Sequence, residues 1–156
     1  MKRLIGLIIV LAVIFSCIGS GWLYRRGIGQ LSQTEMATPK VYAYRDWQRI
    51  GVQLTTGDTL YIRAQGRWLY TPGEYHGPEG HKTYRAPNTY PIPSIAGGVL
   101  LGRIGEEGVP FVVGRGRTLI ADRDGSLFLR INDDILSDNK GYVRVETTVS
   151  TPTPQN

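Results

Sequence analysis

Hydrophobic and polar residues alternate with a period of two in several short segments of the chain. Four segments place apolar side chains on one face: Ile50, Val52 and Leu54; Leu60, Ile62 and Ala64; Leu127, Leu129 and Ile131; and Val143 with Val145. This alternation is typical of half-buried β-strands, and glycine-rich turns separate the segments. Because no helical period lies between them, the pattern predicts an all-β fold, a small jelly-roll β-sandwich.

Two stretches between these segments carry signals of their own. Asp124 and Gly125 separate an apolar segment at 118–121 from the one at 127–131, and this pair predicts a tight hairpin. Residues 73–93 are rich in Gly, Pro, His and Tyr and have no clear strand pattern. Long loops in compact domains are commonly functional, so this segment is a candidate part of a binding site.

The amino terminus has a different pattern, a continuous apolar run. Two basic residues precede residues 4–24, which contain no charged side chain, and Arg25 and Arg26 follow. About 20 apolar residues span a bilayer as a helix, whereas an export signal has a shorter apolar region. Residues 1–26 are therefore predicted to be a signal anchor or transmembrane segment. The rest of the chain is expected to lie in the periplasm or at the cell surface.

Three fates of this segment remain open. Trp22 and Tyr24 suit an interfacial belt and favour retention in the membrane. The stretch ending at Cys17 resembles a lipoprotein box, and removal by signal peptidase is the third alternative. We expect an anchored protein. Since Cys17 is the only cysteine, the exported part has neither an internal disulfide nor a thiolate for catalysis or zinc.

Composition and charge divide the remainder of the chain. Residues 27–40 are predicted to be a linker, 41–149 the folded domain, and 150–156 a disordered tail. The net charge is +5, and residues 1–40 supply most of it, with five basic residues against one acidic residue. Basicity concentrated near the anchor suits anionic lipid headgroups, so nucleic-acid binding is not expected.

The strongest chemical signal lies just before the last predicted strand. Three carboxylates, those of Asp133, Asp134 and Asp138, fall within six residues, with Asn132 and Asn139 beside them. Calcium takes six to eight oxygen ligands and would relieve the repulsion between these carboxylates. Loops rich in Asp and Asn are also common as plain turns. The pattern alone leaves both interpretations open.

Short motifs, taken in order, resemble one known family. They include Gly-Pro-Glu-Gly at 77–80, Gly-Val-Leu-Leu-Gly-Arg-Ile-Gly at 98–105, Leu-Phe-Leu-Arg-Ile-Asn-Asp at 127–133 and Asp-Asn-Lys-Gly at 138–141. Over nearly all of residues 41–149 the chain resembles the LecA-like, calcium-dependent galactose-binding lectins of bacteria.

The resemblance implies a galactose-binding-like β-sandwich with one calcium ion at one end and a sugar whose hydroxyls complete the metal shell. By position, the family's calcium ligands fall on the side chains of Asp133, Asp138 and Asn139 and on the carbonyls of Tyr70 and of Leu136 or Ser137. The loop is shorter than the family's, and Asp138 replaces an asparagine. No glutamine follows Gly-Pro-Glu-Gly closely, so galactose specificity is not implied.

Sugar contacts are expected from polar and aromatic side chains of the long loop and from the acidic residues. The candidates are His76, His81 and Tyr84, with Tyr75, and Asp133, Asp134 and Asp138. Catalysis is not expected, because the chain has two histidines and no Gly-x-Ser-x-Gly elbow. The alternative is a calcium-stabilised structural or protein-interaction module of the bacterial envelope. The sequence leaves the sugar and the oligomeric state open.

Overall fold

The computed structural model describes residues 38–152, which form nine strands and no helix. The strands are β1 (Lys40–Tyr42), β2 (Gln48–Leu54), β3 (Thr59–Thr71), β4 (Glu74–His76), β5 (Leu100–Ile104), β6 (Phe111–Val112), β7 (Gly116–Ile120), β8 (Gly125–Ile131) and β9 (Lys140–Ser150). The predicted anchor segment, residues 1–26, lies outside the described residues. Within the described part, no helix has the length and apolar character needed to cross a membrane.

The strands form two antiparallel sheets. Sheet A has the order β1-β9-β3-β4, with β7 also pairing with β3, and sheet B has the order β2-β8-β5-β6. The longest pairing joins β3 to β9, from Thr59 opposite Ser150 to Leu69 opposite Lys140. The predicted all-β sandwich is confirmed.

The apolar faces of the two sheets form one core. The predicted strand segments are all strands, and the side chains assigned to their inner faces are buried or packed against the core. Its largest fully buried side chains are Trp68, Leu54, Leu60, Ile62, Leu100, Leu101, Leu127, Leu129, Ile131, Val41, Val143 and Val145. Burying one such side chain contributes roughly 1.5–3 kcal/mol, so the period-two pattern determines which face each strand turns inward.

The predicted hairpin at Asp124 and Gly125 is wrong. The strand before this pair, β7, pairs with β3 in sheet A, whereas the strand after it, β8, pairs with β2 and β5 in sheet B. The turn therefore carries the chain from one sheet to the other. The Asp124 carboxylate accepts hydrogen bonds from the amide and hydroxyl of Thr56, at 2.7 and 2.8 Å. Local sequence indicated the turn, but long-range pairing decided the partners of its two strands.

The segment 73–93 begins with a strand that its sequence pattern did not indicate. Gly73, at a φ of 79°, allows a tight turn after β3, and β4 then pairs back onto β3 with His76 opposite Trp68. The chain continues without a named strand until β5 begins at Leu100. This arrangement places the long loop, residues 77–99, beside the connection between β8 and β9.

Candidate functional site

The connection between β8 and β9, residues 132–139, is here called the acidic loop. Its first residue, Asn132, is fully buried. The side-chain nitrogen of Asn132, Nδ2, donates to the carbonyls of Ile92 and Ala96 at 2.9 and 3.3 Å. Its side-chain oxygen, Oδ1, accepts from the backbone amide of Ile92 at 3.1 Å. Asn132 therefore holds the long loop against the acidic loop, and these contacts occupy its side chain.

Asp133 and Asn139 form the buried centre of the acidic loop, each with 3% of its surface exposed. Asn139 Nδ2 donates to Asp133 Oδ2 at 2.7 Å and to the Ile135 carbonyl at 3.3 Å. Within residues 38–152, Asn139 Oδ1 is buried and has no hydrogen-bond partner. Buried amide oxygens nearly always have a partner, so this atom marks a place where a cation or a water molecule fits.

Burial also makes the Asp133 carboxylate costly to ionise. It raises the pKa of Asp133, and the nearby charge of Asp138 raises that pKa further. Hydrogen bonds from Asn139 and from the Ile135 amide act in the opposite direction but do not cancel the effect of burial. A bound cation would offset the cost of the buried negative charge.

The other predicted acidic-loop residues are exposed. Asp138 and Ser137 lie on the surface of the loop. Asp134 is also exposed, and its Oδ2 accepts a hydrogen bond of 2.5 Å from the hydroxyl of Thr89 in the long loop. The structure thus places Asp138 close enough to Asp133 to affect its pKa, while Asp134 is bonded to the neighbouring loop.

The side chain of Tyr70 is buried beneath the two loops. Its hydroxyl lies 3.0 Å from the hydroxyl of Tyr90, and burial raises the pKa of Tyr70 to about 12. The backbone at Gly98 passes so close to the ring that a Cβ added there would lie 2.6 Å from the ring's Cγ. Burial likewise raises the pKa of Tyr90, so both hydroxyls stay protonated at neutral pH. The predicted role of the Tyr70 carbonyl as a calcium ligand stays a prediction.

The predicted sugar-contact residues divide into two groups. His76, His81 and Tyr75 line a cavity of about 460 Å³ to which no residue of the acidic loop contributes. The ring of Tyr84 is 6.1 Å from that of His81 and 6.4 Å from that of the buried Tyr70. The histidines and the buried Asp133 therefore do not share one pocket.

Glu74 was not identified from the sequence, although it completes a cluster with His76 and His81. Their potential ligand atoms all lie within 4.8 Å of one another. The Nε2 atom of His76 is 3.5 Å from the Glu74 carboxylate and 3.0 Å from the Thr71 hydroxyl. Burial lowers the pKa of His76, and neighbouring His81 lowers it further. Residues two apart in a strand lie on the same face, so the spacing of Glu74 and His76 in the sequence could have indicated that their side chains are neighbours.

Hydrogen bonding argues against a metal ion in this cluster. The Nδ1 atom of His81 accepts the amides of Tyr84 and Thr83, at 2.9 and 3.2 Å. A neutral imidazole that accepts at Nδ1 carries its proton at Nε2, and a protonated nitrogen has no lone pair for a metal. The cluster therefore supplies hydrogen-bonding groups to the lining of the cavity of about 460 Å³.

Arg130 is a second residue that sequence reasoning missed. Its Nη2 atom donates to the Asp133 carbonyl at 2.7 Å, and its Nη1 atom lies 2.5 Å from the Asp46 carboxylate. Its guanidinium carbon lies 5.6 Å from the centre of the Trp47 ring. Arg130 thereby fixes the start of the acidic loop. Arg130 lies between the inward-facing Leu129 and Ile131, so alternation indicates only an outward position and carries no signal for this role.

The fold is similar to that of solved structures. One of them, described as the EclA N-terminal domain, a PllA-like lectin, is 23% identical with a TM-score of 0.56, over 72% of this chain and 94% of that chain. No protein-family model and no curated protein matches the chain. The described domain has a lectin-like β-sandwich fold.

Proposed function

We propose that the domain binds carbohydrate with the help of a calcium ion held by the acidic loop, and that it does not transform the sugar. One observation carries the proposal. At the end of a lectin-like sandwich, the buried Oδ1 of Asn139 lacks a hydrogen-bond partner among the described residues, next to the buried carboxylate of Asp133. An unpaired buried oxygen beside a desolvated carboxylate is a costly arrangement that a hard cation would stabilise.

The donor set fits calcium, because all the candidate ligands are oxygens. The side chains of Asp133, Asp138 and Asn139 and the carbonyls of Tyr70 and Ser137 are the proposed ligands. When bound, the ion supplies open coordination positions to two neighbouring sugar hydroxyls. The loop is prepared for this role by Arg130, which holds the Asp133 carbonyl, and by Asn132, which holds the long loop.

Tyr84 is the best placed aromatic contact for a sugar. It is 45% exposed, and its ring lies near both His81 and Tyr70, the residue whose carbonyl is a proposed ligand. The apolar face of a sugar ring packs well on such a surface. His76 and His81 would contact further units of a longer glycan in their own cavity. Galactosides are the first sugars to test.

The alternative is a structural or protein-interaction module in which calcium stabilises the loops without binding sugar. The deep burial of Asp133 and Asn139 favours it, because buried ligands can hold a loop without contacting a glycan.

In either case we propose that residues 4–24 anchor the protein in a bacterial envelope, with the domain in the periplasm or at the cell surface. The uncharged apolar run supports this placement.

A glycan array with the full chain, in calcium and in chelator, tests the proposal. We expect retention of at least one glycan class in calcium, loss in chelator and loss in Asp133→Ala. The matched control is Asp122→Ala, which removes an exposed aspartate outside the acidic loop. Melting that depends on calcium without any sugar retained would establish the structural alternative. Release of cleaved glycan would overturn the assignment as a binding domain.

A further inference from the structure

The outer face of sheet A concentrates positive charge. Side chains there alternate with the buried ones and come from β1, β3 and β9. We call the following seven residues the cationic face: Lys40, Tyr42, Tyr61, Arg63, Arg67, Tyr142 and Arg144. Its four basic side chains are all exposed. The face lies on a different surface from the acidic loop and does not depend on the calcium site.

Positive charges outnumber negative charges on this face of the described domain. Among the outward positions of β1, β3 and β9, Glu146 is the one acidic side chain, and it lies opposite Arg63 in the pairing of β3 with β9. Within residues 38–152, none of the four cations forms an ion pair with a carboxylate, whereas Arg115 pairs with Glu79 and Arg130 with Asp46. The face therefore presents exposed cationic groups that form no ion pair in this part of the chain, although Arg67 donates a hydrogen bond to the Tyr75 carbonyl at 2.8 Å and Arg144 donates one to the Tyr142 hydroxyl at 3.3 Å.

Two of these cations are held close together. Lys40 lies directly opposite Arg144 in the pairing of β1 with β9. Both lie against the ring of Tyr142, with the Lys40 Nζ atom 4.5 Å and the Arg144 guanidinium carbon 5.3 Å from its centre. Like charges in directly opposed positions destabilise a sheet, so this arrangement is costly for folding and suited to an anion that lies between the two groups.

The face is also concave. A cavity of about 220 Å³ lies on one side, where two arginines, Arg63 and Arg144, and one acidic residue, Glu146, line it together with Gly66. The cavity of about 460 Å³ with Arg67 also reaches Gly66. Gly66 has no side chain to separate the two, and a Cβ there would lie 3.2 Å from the Tyr142 carbonyl. Arginine side chains thus line both cavities, which lie on either side of the exposed backbone at Gly66.

We propose that the cationic face binds an acidic polysaccharide, a glycan that carries carboxylate or sulfate groups, at a site separate from the calcium loop. Arginine recognises planar carboxylates and sulfate-like oxyanions with two parallel hydrogen bonds, and tyrosine rings pack against the apolar faces of sugar units. A bilayer surface or a nucleic-acid duplex is too broad to enter depressions of this size, whereas single sugar units match them.

Binding of the full chain to immobilised polygalacturonate and heparin tests this proposal, with neutral dextran as the uncharged probe. The variant Arg63→Gln/Arg144→Gln is expected to bind at least about tenfold more weakly, because two charge-assisted contacts are lost. The matched control is Arg49→Gln/Arg123→Gln, which removes the same charge from exposed arginines outside the cationic face. This control should stay within about twofold of the wild type. Thermal melting of both double variants verifies that they fold.

Several outcomes would overturn the proposal. They are equal losses in the two double variants, no binding of either anionic glycan at about 0.15 M salt, and stronger binding to phosphatidylglycerol vesicles or to an oligonucleotide than to the glycans. Each assay is run with and without chelator. Binding through the cationic face is expected to persist in chelator, whereas loss there would assign the glycan to the calcium loop. Failure of the two proposals is therefore distinguishable.

Discussion

The acidic loop and the cationic face deal with charge in opposite ways. In the acidic loop, Asp133 is buried and enclosed by hydrogen bonds from Asn139 and Ile135, and Arg130 holds its backbone. On the cationic face, Arg144 and its neighbours remain in solvent without a carboxylate partner among the described residues.

The difference has consequences for stability and for ligands. A buried polar network loses several contacts when one member is removed, and its charge requires a proton or a cation to offset desolvation. Exposed charges are screened by water and salt, so single substitutions there have small effects on folding. The first region suits one small cation, whereas the second suits an extended anion that contacts many groups weakly.

The largest effect is expected where the buried network holds the long loop. Asn132→Ala removes three hydrogen bonds and leaves the amide of Ile92 and the carbonyls of Ile92 and Ala96 without those partners. We expect the free energy of unfolding to fall by about 3 kcal/mol in urea titrations. Asn88→Ala, at an exposed position of the same loop, should change it by less than about 0.5 kcal/mol. Equal effects at the two positions would mean that Asn132 does not anchor the loop.

A slightly smaller effect should depend on calcium. At a free calcium concentration of about 100 times the Kd, the wild-type domain should gain about 2.7 kcal/mol of stability, because the ion binds the folded state. Asp133→Ala should gain none, while Asp134→Ala should keep most of the gain, since Asp134 bonds to Thr89. Calorimetric melting with and without chelator measures the difference. A full calcium response in Asp133→Ala would remove the basis of the proposed site.

The pH dependence of the metal-free domain tests the desolvation of Asp133. Burial raises the pKa of its carboxyl above 3.8, so the folded state binds this proton more tightly than the unfolded state does. The resulting stability is fully present below pH 3.8 and is lost as the pH rises through the raised pKa. In chelator, the melting temperature of the wild type minus that of Asp133→Asn should therefore fall from acid to neutral pH. A difference that rises with pH would show that hydrogen bonding outweighs burial.

The smallest effect should come from the cationic face. Arg144→Gln removes the like charge opposite Lys40, so stability at low salt should increase by a few tenths of a kcal/mol. The gain should disappear at about 1 M salt, where the screening length is near 3 Å. Arg123→Gln, which instead breaks an ion pair with Asp122, should give no gain. Destabilisation by Arg144→Gln would mean that its contacts with Tyr142 outweigh the repulsion.

Local patterns were enough to predict most of the framework. Leu127, Leu129 and Ile131 alternate in the sequence and are buried in β8, because period-two alternation is a direct consequence of strand geometry. The acidic character of residues 132–139 was equally visible. The partners of each strand were not, as the wrong hairpin at Asp124 shows. Pairing depends on residues far apart in the chain, which compete for the same buried positions.

The sequence by itself determined that this domain is all-β, which faces of its strands are apolar, and that an acidic loop precedes the last strand. The tertiary structure alone decided that Asp133 and Asn139 are buried while Asp138 is exposed, and that the Arg130 side chain is buried and holds the loop. It also brought Lys40 beside Arg144. The physical reason is that burial and charge proximity are properties of surfaces assembled from distant segments, which a local pattern of residue types does not contain.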